Sequence, residues 1–264
     1  MGNGTLYSNL DLPEFHRVIF YPRPDWEPPP TQASDHAISL GGGIHVSARL
    51  YPVRNAMATM LFFHGNGEVA SDYDHIAPLY NRVNVNLFVA DYRGYGRSNG
   101  SPSFATLVAD AHPVLDHLQE LLRRREESAS LFVMGRSLGS HPAIELATCC
   151  SGRFRGLILE SGFAHISRLI RNMGLASAAP GLDAFEKAID ARVKAITIPV
   201  LVIHGEEDTL VLPENARHFY ENVGSHDKTL LTIPGAGHND VMTVGMKEYF
   251  EAIGTFVARL TPKT

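Results

Sequence analysis

The sequence predicts an α/β domain built on a buried, mostly parallel sheet. Three observations carry that prediction. Short apolar runs recur at 57–63, 85–90, 131–134, 157–159, 200–203 and 229–233. Helical patterns at 68–81, 104–125, 138–149, 213–222 and 241–259 alternate with them. The runs are continuous rather than alternating, as in strands buried on both faces. Strands that alternate with helices form parallel sheets through crossover connections.

Taken in order, residues 1–35 come first and are rich in proline: Pro22, Pro24, Pro28, Pro29 and Pro30. Proline lacks a backbone donor, so this stretch reads as neither a regular helix nor a central strand. It reads as an extended arm, anchored by Val18-Ile19-Phe20-Tyr21 and Trp26. From 36 to 51 the pattern is strand, Gly41-Gly42-Gly43 turn, strand, which is a hairpin. The strand and helix alternation follows, within a body spanning 36–264. Residues 163–196 are longer than an ordinary crossover, with helical pieces at 165–173 and 182–194 split by Ala179-Pro180-Gly181. Too short for a second domain, this insertion reads as a small helical cap over the carboxyl edge of the sheet. One irregular crossover helix is the alternative.

Composition narrows the function classes. The chain has 264 residues and a formal net charge of −5. A mild acidic excess argues against nucleic-acid binding, which shows a basic patch or stripe. The two cysteines, Cys149 and Cys150, are adjacent, so no disulfide framework is expected. No apolar run approaches the ~18 residues of a membrane span. Asp11, Glu14, His16 and Arg17 interrupt any signal-peptide core, and Leu6 stands where a myristoylation site needs Ser or Thr. The expected compartment is cytoplasmic. Without a secretory signal, the sequons at Asn3 and Asn99 carry little meaning.

Ligands on open parallel sheets bind beyond the carboxyl ends of the strands. Two stretches there fit G-x-S-x-G: Gly96-Arg97-Ser98-Asn99-Gly100 and Gly135-Arg136-Ser137-Leu138-Gly139. A nucleophile elbow needs a strand, a sharp turn and then a helix. Ser137 has that context, because 131–134 runs into Gly135 and a helical pattern continues from His141. Pro142 is tolerable in that first turn. Ser98 instead precedes Asn99-Gly100-Ser101-Pro102, which is turn chemistry, so it reads as a structural corner.

A serine hydroxyl needs a base, usually a histidine held by a carboxylate. On α/β sheets the chain order is Ser, acid, His. The run at 200–203 leads into His204-Gly205-Glu206-Glu207-Asp208, and 229–233 leads into Pro234-Gly235-Ala236-Gly237-His238. His238 is the candidate base. Asp208, at a loop tip, is the candidate acid, ahead of Glu206, Glu207 and Glu160. An oxyanion hole needs two aimed N–H groups. Leu138 should supply one and Asn66, in His64-Gly65-Asn66-Gly67-Glu68, the other.

With these residues in place, the chain resembles the α/β-hydrolase superfamily. The matching stretches are 64–67, 91–98, 135–139, 204–208 and 237–240, and the likeness covers about 36–260. They are most similar to small-capped serine hydrolases, among them monoacylglycerol lipases, protein depalmitoylases and esterases. The resemblance implies an eight-stranded sheet whose second strand is antiparallel. It places nucleophile, acid and base on Ser137, Asp208 and His238. One departure is Ser140, where relatives often carry glycine or alanine. It adds a hydroxyl at the elbow.

The expected substrate is a small acyl ester or thioester, with no cofactor and no metal. Two other classes compete. Gly65-Asn66-Gly67 with Asp91 matches a dinucleotide fingerprint, though His64 would crowd its turn. A non-catalytic binding protein on the same fold is the second alternative. Asp72-Tyr73-Asp74-His75 has ligand residue types but no recognised metal spacing, and reads as a solvated helix face.

Overall fold

The computed structural model describes residues 4–7, 10–11, 19–126, 130–165 and 182–262. All eight strands form one sheet. They are β1 Ser34–Gly41, β2 Ile44–Tyr51, β3 Ala58–Phe63, β4 Val85–Ala90, β5 Ser130–Arg136, β6 Leu157–Glu160, β7 Val200–Gly205 and β8 Lys228–Ile233. Their spatial order is β1-β2-β4-β3-β5-β6-β7-β8. β2 runs antiparallel to both its neighbours, and every pairing from β4 to β8 is parallel. The β1–β2 turn uses Gly41, Gly42 and Gly43, all at positive φ, where glycine has no steric penalty.

Residue alternation along the strands divides the core between the two faces of the sheet. Leu61, Phe63, Phe88, Leu131 and Val133 join one apolar cluster, while Met60, Phe62, Leu87, Phe132 and Met134 join the other. The first cluster is closed by helices α2 Phe104–Ala109, α3 Ala111–Arg124, α4 Ser140–Cys149, α5 Leu182–Ala195 and α6 Pro213–Asn222. The second is closed by α1 Ala77–Arg82 and α7 Met246–Leu260. Single expected helices at 104–125 and 241–259 are each two in the structure, broken at Asp110 and Gly245. Pro113, three residues past the first break, has no N–H to continue the preceding helix.

Two expectations concern the arm and the cap. In the arm, Ile19 and Phe20 are buried, but the side chains of Tyr21 and Trp26 are exposed, with the residues at 59% and 73%, so their rings are not the anchors. The arm is held instead by its backbone, through Gly96 N–H to Arg23 O and Asp25 N–H to Gly96 O. In the expected cap at 163–196, residues 165–173 and the 179–181 split lie almost wholly outside the described residues. The 182–194 piece is helix α5, and its Leu182, Phe185, Ile189 and Val193 are buried in the main core. By its packing this half is a crossover helix leading into β7.

Candidate active site

Ser137 follows β5 directly and opens the helical turn before α4. Its φ is 51°, a left-handed value that a serine adopts only when its surroundings impose it. The flanking glycines are required by space. A Cβ on Gly135 would collide with the Gly139 carbonyl, and one on Gly139 with the Phe63 carbonyl. The turn can therefore lie flat against the end of β3 and project Ser137 above the sheet.

The loops after β7 and β8 bring two partners to it. His238 Nε2 lies 2.9 Å from Ser137 Oγ, and His238 Nδ1 lies 2.8 Å from Asp208 Oδ2. These contacts are satisfied by an imidazole that donates from Nδ1 and accepts the serine proton at Nε2. Asp208 is buried and also accepts the N–H groups of Leu210 and Val211 through Oδ1, at 2.9 and 2.8 Å. Burial alone would raise its carboxyl. The contacts from His204, His238 and the Val211 amide outweigh that and hold it well below the usual carboxylate range.

Two of the other three acid candidates are occupied elsewhere, and Glu207 is exposed. Glu206 accepts from Thr232 Oγ1, and Glu160 accepts from Arg136 and Tyr249. Asn66 sits in the loop after β3, beside the elbow. Its side chain is committed to the arm: Oδ1 accepts from Tyr21 N–H and Tyr95 O–H, and Nδ2 donates to Ile19 O. That leaves its backbone amide. Among the described residues, the amides of Asn66 and Leu138 have no acceptor.

Ser140 fits without strain. Its buried Oγ lies 2.6 Å from Ser137 O and 2.9 Å from Phe163 O, and accepts Phe163 N–H at 3.2 Å. The added hydroxyl ties the elbow to the loop after β6. Ser98 is a corner. Its Oγ accepts Ser47 N–H at 2.8 Å and lies 3.1 Å from Ser47 Oγ. Asp91, the residue a bound dinucleotide would need, is 5% exposed. It accepts from Ser47 Oγ and the Ala70 amide, so the dinucleotide reading loses its ribose ligand. Asp72 and Asp74, expected on a solvated face, pair with Arg23 and Arg49.

Sequence reasoning missed the residue that joins these loops. Arg136 occupies the variable position before Ser137. Its guanidinium donates to Glu68, to Glu160 Oε1 at 3.2 Å, to His238 O at 3.1 Å and to Asn239 Oδ1 at 3.0 Å. Glu68 in turn accepts Gly65 N–H at 2.9 Å and Tyr73 O–H at 2.6 Å. Tyr249 O–H donates to Glu160 Oε2 at 2.7 Å. Burial, reinforced by the carboxylates, pushes both phenols up, so they remain protonated donors. One side chain thus clasps the elbow, the oxyanion loop and the histidine loop. A cavity of about 120 Å³ borders this network, lined by Tyr73, Tyr80, Glu160 and Met242 among others. It has room for several water molecules. His204 was missed as well. It is fully buried, donates from Nε2 to Val211 O at 2.7 Å, and braces the Asp208 loop from within.

Residues 54–187 and 167–242 match the family model described as serine aminopeptidase, S33. This chain belongs to that family of α/β hydrolases. It is 32% identical over 207 residues to protein bem46 of Schizosaccharomyces pombe, covering 76% of this chain and 67% of the relative. It is also 32% identical over 213 residues to human alpha/beta hydrolase domain-containing protein 17B, covering 78% and 68%. Among solved structures, the Pyrococcus furiosus esterase Pf2001 superposes with a TM-score of 0.74 at 20% identity, over 92% of this chain and all of that one. At that identity the likeness is one of fold. Among the described residues of this hydrolase, no helix is long and apolar enough to cross a membrane.

Proposed function

We propose that this chain is a serine hydrolase that cleaves small carboxylic esters or thioesters through an acyl-enzyme. The observation that carries the reading is the unbroken hydrogen-bond relay from Ser137 to His238 to Asp208. In this mechanism Ser137 Oγ attacks the acyl carbonyl while His238 Nε2 takes its proton. The tetrahedral oxyanion is held by the amides of Asn66 and Leu138. His238 then returns the proton to the departing alkoxide or thiolate, and Asp208 stabilises the transient imidazolium. Water, deprotonated by the same histidine, cleaves the acyl-enzyme and frees Ser137.

The strained backbone at Ser137 supports this role, since such strain persists where surroundings impose it and clusters at active sites. The body spans 36–264, with 1–35 as an accessory arm. Neither Cys149 nor Cys150 is in a disulfide, which suits a reducing, cytoplasmic setting. The test is turnover of p-nitrophenyl esters of increasing chain length, with an acyl thioester and an aminoacyl p-nitroanilide in parallel. Ester or thioester turnover that exceeds anilide turnover is expected. No turnover of any of the three would favour the non-catalytic binding protein, and preferred anilide cleavage would make the chain an amidase.

A further inference from the structure

We propose that His165, Asp190 and His218 form a binding site for one divalent transition-metal ion, with zinc as the best-suited occupant. The three residues come from separate segments: the loop after β6, helix α5 and helix α6. Both imidazoles aim Nε2 at the same carboxylate oxygen. His165 Nε2 is 2.8 Å from Asp190 Oδ1, and His218 Nε2 is 3.4 Å from it. The three ligand atoms all lie within 4.8 Å of one another. The two rings are side by side, with centroids 4.8 Å apart.

The donor set decides the kind of ion. Two imidazoles and one carboxylate suit zinc, nickel, cobalt or copper, whereas magnesium and calcium prefer all-oxygen sites. Tetrahedral zinc with ligands at roughly 2.0–2.2 Å separates them by about 3.3 Å. The His218–Asp190 spacing already meets that value. The His165 contact must lengthen by roughly half an ångström, within reach of small side-chain rotations. All three side chains are partly exposed, so an ion can enter from solvent and keep water in its remaining position.

One neighbour must yield. Asn222 Nδ2 lies 3.3 Å from His218 Nδ1, which holds the ring proton on Nε2. Coordination through Nε2 moves that proton to Nδ1 and breaks this contact. The main consequence of binding is a cross-link. Residues 25 and 28 positions apart in sequence become tied through one ion, which stabilises the native state by RT ln(1 + [Zn]/Kd). The inference does not depend on Ser137 or on the proposed reaction.

The test uses the whole chain, tag-free and stripped with chelator. Zinc chloride is titrated by calorimetry, and cobalt(II) is followed by its visible absorption. One-to-one zinc binding, a Tm that rises with zinc concentration and a tetrahedral-type cobalt spectrum are expected. His165→Ala, Asp190→Asn and His218→Gln should each weaken binding by more than the 10–100-fold typical of losing an outer-sphere partner. His226→Ala, on a histidine outside the cluster, should bind as the parent does. Absence of one-to-one binding overturns the proposal, and so does binding that survives all three ligand variants. A Tm lowered by Asp190→Asn but unmoved by zinc in the parent shows a hydrogen-bonded cluster only, and also overturns it.

Discussion

Residues 96–100 and 135–139 share one five-residue pattern and the same glycine, arginine and serine at its first three positions, yet the fold uses them in opposite ways. At 135–139 the serine backbone is left-handed, the glycines let the turn pack against β3, and the hydroxyl faces His238. At 96–100 the chain continues the edge of the sheet. Asn99 Oδ1 accepts His45 N–H at 2.8 Å, and Ser98 Oγ accepts Ser47 N–H. Among the described residues the Ser98 hydroxyl meets Ser47 and no histidine. The same hydroxyl faces a histidine where a strand ends on it and is a structural acceptor where a hairpin runs beside it. Context at the level of strand, turn and helix separates the two, and the pattern alone does not.

The comparison can be broken or sharpened by substitution. The largest effect is expected from Ser137→Ala, which should lower kcat on a p-nitrophenyl ester by about 10⁶. Retained turnover would collapse the distinction between the serines. Asp208→Asn comes next. It keeps the shape but reverses the hydrogen bond that sets the His238 tautomer, and kcat should fall by about 10⁴.

Arg136→Met probes the clasp around the elbow; its counterpart beside Ser98, Arg97, reaches the Trp26 and Glu27 carbonyls and Asp35 instead. It leaves buried Glu160 and half-buried Glu68 without their cation, so unfolding in urea should show a loss of about 3 kcal/mol. Arg136→Lys keeps the charge but loses the fork that reaches His238 O and Asn239. Lower kcat with KM nearly unchanged would identify Arg136 as a positioning residue. Equal kinetics in parent and Lys variant would confine it to a structural role.

A smaller effect concerns the helix behind the elbow. His141 is buried among Tyr7, Phe104 and Phe163, and neither ring nitrogen has a partner among the described residues. Burial pushes it down to about 4. The unfolded chain takes up this proton near the ordinary value of about 6.5 and the folded chain only near 4, so stability falls as pH drops between those values. The loss approaches roughly 3 kcal/mol by pH 4. In His141→Phe the slope of stability against pH should flatten over that window. An unchanged slope would assign the acid sensitivity to other groups. The smallest effect belongs to Ser98→Ala, which should leave kcat within about twofold and cost about 1 kcal/mol of stability.

Much of this arrangement was legible because its signals are local. The strands are continuous apolar runs, and the elbow is five consecutive residues following a strand. Asp208 and His238 each follow a strand within a few residues. What escaped reading depends on contacts between distant positions. Arg136 acts through residues 24, 68, 102 and 103 positions away. Its identity was also hidden by standing where the elbow pattern allows any residue. Glu68, three residues past Gly65, was visible as a carboxylate able to return to that amide. The break at Gly245 and the packing of α5 into the main core were obscured because tertiary contacts, not periodicity, set those limits. The trio His165, Asp190 and His218 shows no metal-ligand spacing because folding alone brings its three segments together.

The central claim is that Ser137, and not Ser98, is the nucleophile. A fluorophosphonate probe, followed by peptide mapping by mass spectrometry, tests it most directly. One label per chain, on the peptide carrying Ser137 and absent from Ser137→Ala, is the expected result. A label on the Ser98 peptide, or none on the folded parent protein, would contradict it.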